Sequence, residues 1–248
     1  MAFFIARYDY LLYYHPIVEE SQKAQIAANF IDVREKINRA AAKAGRSADE
    51  IVLVAVSKTY PAEAISAAVS AGATDIGESR VQEGTDKIER LGNIARWHLI
   101  GHLQTNKARR AVECFDIIQS VDSLKLAEKI SQNAVELTKT IDCLIEVNSS
   151  GEDSKFGLPP DSILSEAEKI LALPGINLKG LMTIGPWTTN SGCVKKAFDD
   201  TRQLFDKMQD NLGKGIEVLS MGMSSDFELA IQCGSNMVRV GTAIFGQR

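Results

Sequence analysis

The stretch Ile51-Val-Leu-Val-Ala-Val-Ser-Lys58 combines a β-branched apolar run with a single charge at its end. Alternation along an extended strand places every second residue from Val52 to Lys58 on one side. Lys58 is therefore predicted to lie at the mouth of an apolar core. Desolvation lowers the pKa of a lysine and makes its amine a candidate nucleophile toward a carbonyl group. The alternative is an ordinary strand-end lysine whose ammonium group extends into water.

Short β-branched segments alternate with segments of helical period from this stretch onward. A helix over about residues 19–44, ending at Gly45, should precede the first strand. Eight strands with helical crossovers, in 248 residues, predict an α/β fold with a single (β/α)8 TIM barrel. The alternative is an open doubly wound sheet, which would need a glycine-rich turn where this chain has Ser57-Lys-Thr-Tyr-Pro61. The predicted strands lie near residues 51–57, 74–77, 96–100, 115–120, 141–147, 178–184, 216–221 and 237–241.

Composition excludes several classes of function. The formal net charge of −4 and pI near 5.5, without a long Lys/Arg block, do not indicate a nucleic-acid-binding protein. No stretch is long and apolar enough to span a membrane, and Arg7 and Asp9 interrupt the N-terminal apolar run, unlike a signal peptide. We therefore expect a cytoplasmic protein that binds neither nucleic acid nor membrane.

The first 20 residues differ from the rest, with six tyrosine and phenylalanine residues before His15-Pro16. We interpret residues 1–20 as an N-terminal extension, either mobile or held against a neighbouring surface. Residues 21–248 would then form the barrel domain.

Neither the histidines nor the cysteines have the spacing of a metal site. His98 and His102 bracket the end of the third predicted strand, and no acidic third ligand is adjacent. We expect His98 to pack within the strand and His102 to line the mouth of the barrel. The cysteines are widely spaced without a C-x-x-C pair and are expected to be reduced thiols: Cys114, Cys143, Cys193 and Cys233.

Two glycine-containing segments follow predicted strands seven and eight, where barrels of this type often hold a phosphate. The first is Ser220-Met-Gly-Met-Ser-Ser225 and the second begins at Gly241-Thr242. Glycine lets backbone N–H groups approach a phosphate closely, and hydroxyl groups donate hydrogen bonds to it. A lysine together with such a cradle is the combination that pyridoxal phosphate (PLP) requires, although each half alone is also typical of an ordinary turn or surface lysine.

Arg239 is the only charge in the apolar run Met237-Val-Arg-Val240. A buried arginine needs an acceptor, which an acidic side chain could supply in a structural salt bridge. Alternatively, Arg239 could donate to the pyridine nitrogen of PLP and keep that nitrogen unprotonated. The ring would then be a poorer electron sink than one paired with an aspartate.

Six blocks of the sequence resemble the pyridoxal phosphate homeostasis proteins, the YggS-like group, from about residue 25 to the C-terminus. This family is a single-domain relative of the N-terminal barrel of alanine racemase, a fold-type III PLP-binding barrel. The blocks are Val56-Ser-Lys-Thr59, Ile76-Gly-Glu-Ser-Arg-Val-Gln-Glu83, Trp97-His-Leu-Ile-Gly-His-Leu-Gln-Thr-Asn-Lys107, Gly180-Leu-Met-Thr183, Leu219-Ser-Met-Gly-Met-Ser-Ser-Asp226 and Val238-Arg-Val-Gly-Thr-Ala-Ile-Phe-Gly246.

The resemblance implies that Lys58 carries PLP as an internal aldimine and that Arg239 faces the pyridine nitrogen. Ser79 departs from the family pattern, which has asparagine near the cofactor ring, so that contact is left open. His102 and Met182 are further candidates for the surroundings of the cofactor. The residues implied to hold the phosphate are Ser220, Gly241 and Thr242, with Ser224 as a fourth.

The function that the resemblance implies is PLP binding in intracellular vitamin B6 and amino-acid homeostasis, with a low-activity PLP-dependent racemase as the alternative. Racemisation requires a base on each face of the Cα carbanion, and Lys58 serves only one. The racemases that the barrel resembles supply the second base from another domain, for which we expect no room in this chain. We therefore expect a non-catalytic, monomeric PLP carrier whose partners are apo PLP-dependent enzymes or a regulatory protein.

Overall fold

Eight parallel strands close into a barrel in the computed structural model, which describes residues 18–149 and 156–247. Each strand pairs with its successor in sequence, and β1 closes the barrel by pairing with β8 in parallel. The strands are β1 (Val52–Val56), β2 (Asp75–Glu78), β3 (Arg96–Leu99), β4 (Ile117–Val121), β5 (Ile141–Val147), β6 (Ile176–Thr183), β7 (Val218–Ser220) and β8 (Met237–Val240).

Helices follow the strands around the outside of the barrel, and one additional helix precedes β1. This first helix, α1, packs against α2, α8 and α9. It ends where Gly45 adopts a φ of +68°, a conformation that glycine allows without steric cost. The helices are α1 (Glu20–Lys43), α2 (Ala62–Ser70), α3 (Val81–Leu91), α4 (Ala108–Cys114), α5 (Leu124–Glu136), α6 (Ile163–Leu171), α7 (Ser191–Leu212), α8 (Phe227–Gln232) and α9 (Thr242–Phe245).

Apolar side chains form an outer layer between strands and helices and a smaller cluster inside the barrel. In β1, Leu53 and Ala55 belong to the outer layer. Because successive strand residues point to opposite faces, Val54 and Val56 face the interior. Lys58 follows two residues after the end of β1, in the turn that leads to α2.

The predicted barrel is confirmed, and each predicted strand overlaps an observed one. The open-sheet alternative is wrong, because β1 and β8 pair and leave no sheet edge. All four cysteines are free thiols, as expected. The predicted extension falls almost entirely on residues 1–17, outside the described residues. Within the described ranges, no helix has the length and apolar character needed to cross a membrane.

Candidate functional site

The residues that the sequence singled out after β1 and β8 lie side by side at one rim of the barrel. Val54 of β1 is in register with Arg239 of β8, so the two strands end next to each other. Lys58 lies two residues beyond β1 and is half-buried. Parallel strands place their carboxyl ends at the same edge, which is where the active sites of such barrels are found.

A set of hydrogen-bonding groups converges beside Lys58, between the loops that follow β7 and β8. The hydroxyl of Ser224 accepts hydrogen bonds from the backbone N–H groups of Gly241, at 3.2 Å, and Ala243, at 3.4 Å. A Cβ at position 241 would lie 3.2 Å from the backbone oxygen of Val56, closer than most side chains tolerate. Gly241 therefore brings the two backbones together, and Thr242 is exposed next to it.

Gly222 shapes the loop after β7. Its φ is +98°, and a Cβ there would lie 2.6 Å from the Cβ of Ala230 in α8. Its carbonyl accepts a hydrogen bond from the backbone N–H of Arg239. Glycine at this position lets the loop turn tightly against β8 and brings Ser224 over the start of α9.

Arg239 is buried at the bottom of this site. Its guanidinium donates to the hydroxyl of Ser220 at 2.6 Å and to the backbone carbonyl of Thr183 at 2.8 Å. Burial lowers the pKa of Arg239 to about 10, although Glu146 and Asp226 oppose the shift. Arg239 therefore keeps its positive charge at neutral pH.

Ser220 is held inside the barrel by side-chain hydrogen bonds. Its side chain is completely buried, accepts from Arg239 and donates to Gln119 at 2.7 Å. Both its donor and an acceptor site are used inside the barrel. These bonds link Ser220 to Arg239, and the contact between Ser220 and a phosphate, which the family resemblance implies, stays a prediction.

A buried ionic cluster lies directly behind Lys58 and was not predicted from the sequence. Lys87 of α3 donates to Glu78 at 2.7 Å, to Glu83 at 2.8 Å and to the backbone carbonyl of Ser57 at 2.8 Å. The Ser57 hydroxyl also donates to Glu78. Burial raises the pKa of Glu78 above its ordinary value, although Lys87 opposes the shift.

This cluster fixes the backbone on both sides of Lys58. Ser57 bonds to Glu78 and Lys87, and the backbone N–H of Thr59 donates to Glu83. Thr59 has a φ of +71°, which β-branched residues rarely adopt. Such strain persists only where surrounding contacts hold it, so the cluster determines the direction in which Lys58 leaves the strand.

Comparison with known proteins identifies the family. The sequence model of the protein family described as alanine racemase, N-terminal domain, matches residues 29–248. A protein of Pasteurella multocida named pyridoxal phosphate homeostasis protein is 41% identical over 227 residues, which cover 90% of this chain and 97% of the relative. The chain belongs to the pyridoxal phosphate homeostasis protein family.

Two solved structures show what the fold of this family member is similar to. PipY of Synechococcus elongatus, solved with PLP bound, is 35% identical with a TM-score of 0.78, covering 90% of this chain and 100% of PipY. Alanine racemase of Clostridium difficile in complex with cycloserine is 16% identical with a TM-score of 0.75, covering 93% of this chain but 61% of the racemase. The second likeness concerns the fold alone.

Three further residues of this family member were predicted to surround the cofactor: Ser79, His102 and Met182. Ser79 is half-buried, and its backbone oxygen would be 2.3 Å from a Cβ at position 101, so it packs against Gly101. His102 hydrogen-bonds Asp122 at 2.9 Å and stacks on the ring of Phe156, with centroids 3.8 Å apart. Met182 is completely buried in the apolar cluster inside the barrel.

Glu146 is a second buried titratable group that the sequence did not indicate. It lies on β5, opposite Met182 in the register of β6, and only 6% of its surface is exposed. Burial raises its pKa to about 7, although the nearby charge of Arg239 opposes the shift. The burial of Glu146 could not be predicted from the sequence, because nothing in the sequence shows whether a glutamate in this strand points into the barrel or out of it.

Glu146→Gln is expected to reduce the loss of stability at alkaline pH. A carboxyl whose folded pKa is raised contributes stability below its unfolded pKa of about 4.5, and this is lost as pH rises through about 7. The glutamine variant and the wild type should therefore be similar near pH 5, and the variant should be more stable at pH 8 by on the order of 2 kcal/mol. Denaturant unfolding at both values measures this, with the exposed Glu168→Gln as control. An equal difference at both pH values would contradict the assignment.

Proposed function

We propose that the protein binds PLP at the carboxyl end of its barrel and serves as a carrier in intracellular PLP and amino-acid homeostasis. The observation that carries the proposal is the meeting of three groups at one rim: Lys58, the cradle of Ser224 with the N–H groups of Gly241 and Ala243, and the buried cation Arg239. Membership in a family named for PLP homeostasis, and the PLP-bound structure of PipY, support it.

The residues present fit the chemical groups of PLP. Bound PLP supplies an aldehyde that reacts with a primary amine, and Lys58 offers such an amine at the mouth of an apolar strand. The hydroxyl groups of Ser224 and Thr242 offer hydrogen-bond donors to a phosphate, and the Ser224 oxygen is held in place by the N–H groups of Gly241 and Ala243. Arg239 offers a permanent cation to the ring nitrogen and keeps that nitrogen unprotonated.

Ser224→Ala and Thr242→Ala are each expected to weaken PLP binding by about tenfold or more. A hydrogen bond to a charged acceptor contributes about 1.5–3 kcal/mol, and 1.4 kcal/mol corresponds to a factor of ten. Affinity for unphosphorylated pyridoxal should change little. Absorbance titrations with both ligands measure the two dissociation constants, and the neighbouring Ser225→Ala provides a matched control. Equal losses for both ligands would mean that these side chains act on the structure of the loop.

Cofactor transfer tests the carrier role. The loaded protein, freed of excess PLP and mixed with an apo PLP-dependent enzyme, should restore that enzyme's activity. Failure of transfer would leave a binding or sensing role. Apo PLP-dependent enzymes, a regulatory protein partner, a monomeric state and a cytoplasmic location remain predictions.

The rate of alanine Cα-proton exchange distinguishes the proposed carrier from a racemase. Alanine Cα-proton exchange in heavy water should be very slow with this protein, because Arg239 weakens the ring as an electron sink. The chain also spans 97% of the homeostasis relative but 61% of the racemase, so the likeness to the enzyme covers its barrel part. Fast exchange that disappears in Lys58→Ala would support the racemase instead.

A further inference from the structure

A line of polar side chains crosses the interior of the barrel from the proposed PLP site to the opposite end. It begins at Arg239, whose Nη1 lies 2.6 Å from the Ser220 hydroxyl, which in turn lies 2.7 Å from Oε1 of Gln119. Nε2 of Gln119 lies 2.8 Å from Nδ1 of His98, and Nε2 of His98 lies 2.8 Å from Oδ1 of Asp75. Ser220, Gln119 and His98 are completely buried. Asp75 begins β2, at the end of the barrel away from the rim.

One arrangement of protons satisfies every bond in this line. Arginine only donates, so Ser220 accepts from it and donates to the amide oxygen of Gln119. The amide nitrogen of Gln119 then donates to Nδ1 of His98, which requires the neutral imidazole to carry its proton on Nε2. That proton is donated to the carboxylate of Asp75. All four donors therefore point the same way, from the cation to the anion.

The charge states at the far end agree with this arrangement. Burial lowers the pKa of His98, although Asp75 opposes the shift, so the imidazole is neutral at pH 7. Burial alone would raise the pKa of Asp75, but hydrogen bonds from His98 and Thr74 hold it below its ordinary value. Asp75 is therefore ionised. The other charges that act on the line are Arg96 and Asp116 near His98, and Glu146 and Asp226 near Arg239.

Polar side chains buried inside the barrel lower the stability of the fold unless each one is hydrogen-bonded. Barrel interiors are usually filled by branched apolar side chains, and Ile117, Leu144 and Met182 do this nearby. Arg239, meanwhile, is oriented by two neutral oxygens, the Ser220 hydroxyl and the Thr183 carbonyl. Successive hydrogen bonds polarise one another, so a line that ends on a carboxylate makes the Ser220 oxygen a stronger acceptor for Arg239.

We infer that Gln119, His98 and Asp75 are positioning residues, which act through Ser220 to hold the Arg239 guanidinium toward the ring nitrogen of the cofactor. The inference rests on the proposed PLP site. None of the three touches the cofactor. Breaking the line at His98 leaves the Gln119 amide without its acceptor, so Gln119 no longer holds the Ser220 hydroxyl in place and Arg239 loses its fixed orientation.

The test compares PLP with its analogue that has a C–H group in place of the ring nitrogen. A contact between Arg239 and the nitrogen favours PLP over the analogue, whereas contacts to the phosphate and Lys58 favour both equally. The ratio of the two affinities therefore reports the Arg239 contact. A general loss of structure would weaken both ligands and leave the ratio unchanged.

His98→Leu and His98→Gln form the matched pair of variants. Leucine breaks the line, whereas a glutamine side chain can accept from Gln119 and donate to Asp75. We expect the preference for PLP over the analogue to fall by about fivefold or more in His98→Leu and to be retained in His98→Gln. Asp75→Asn keeps the shape of the acceptor and removes its charge. It should lower the preference for PLP less than His98→Leu does. If His98→Leu does not fold, the preference measured with Asp75→Asn tests the inference instead.

The outcomes separate this inference from the proposed function. If the wild type does not bind PLP, the proposed function itself is wrong. If the wild type binds PLP and prefers it over the analogue, but His98→Leu or Asp75→Asn keeps the full preference, the positioning role alone is overturned. An equal fall in His98→Leu and His98→Gln would also overturn it, because the hydrogen bonds would then not matter.

Discussion

Lys87→Met is expected to lower the free energy of unfolding by about 3–5 kcal/mol at neutral pH, because it removes one partner of a buried ion pair. The ammonium group of Lys87 has three acceptors, and the Glu78 carboxylate that it neutralises is completely buried. Without Lys87, Glu78 keeps a hydrogen bond from Ser57 but has no charge partner. Urea unfolding of the two proteins measures the difference.

Two further variants test the cause of this loss. Lys169→Met, which breaks an exposed pair with Glu166, should change stability little. Adding Glu78→Gln to Lys87→Met should restore part of the loss, because the double variant no longer contains the buried carboxylate that lost its partner Lys87. The deficit of Lys87→Met should also shrink at acidic pH, where Glu78 becomes protonated. A deficit that is small, or that is the same at acidic and neutral pH, would show that the cluster contributes little through its charges.

Lys58→Ala is expected to abolish the covalent attachment of PLP. The alanine variant lacks the amine at the strand end but keeps Ser224, Gly241 and Arg239, so it should bind PLP only weakly and reversibly. The absorbance of the imine should be absent, and no adduct should survive borohydride treatment. Visible spectra and intact mass measure both effects, with the exposed Lys43→Ala as control. An adduct that persists in Lys58→Ala would place the attachment on another lysine.

The sequence predicted the barrel well because its signals are local. Each strand is a short β-branched run, and alternation alone predicted that Val54 and Val56 face the same interior. The helix before β1 was equally predictable from its period and from Gly45 at its end. Neighbouring strands in such a barrel follow one another in sequence, so the ends of β1 and β8 also had to meet once the barrel closed.

Contacts inside the barrel were not predictable in the same way. Gln119 and Ser220 are 101 residues apart in sequence, and their hydrogen bond depends on the stagger of strands that are not neighbours. The hydrogen bond between Ser220 and Arg239 was not predicted either. Lys87 gave no signal because a lysine on an amphipathic helix is usually exposed, and only the packing of α3 against β2 and β3 buries it.

The most direct test of the proposed site is the position of the PLP adduct in the wild-type protein. The protein is loaded with PLP, reduced with borohydride and digested with trypsin, which does not cleave after a modified lysine. The adduct is predicted on a single peptide of residues 47–80, in which cleavage after Lys58 has failed and fragmentation places the added mass on Lys58. A stoichiometric adduct on another lysine, with residues 47–58 recovered as an unmodified peptide, would contradict the account.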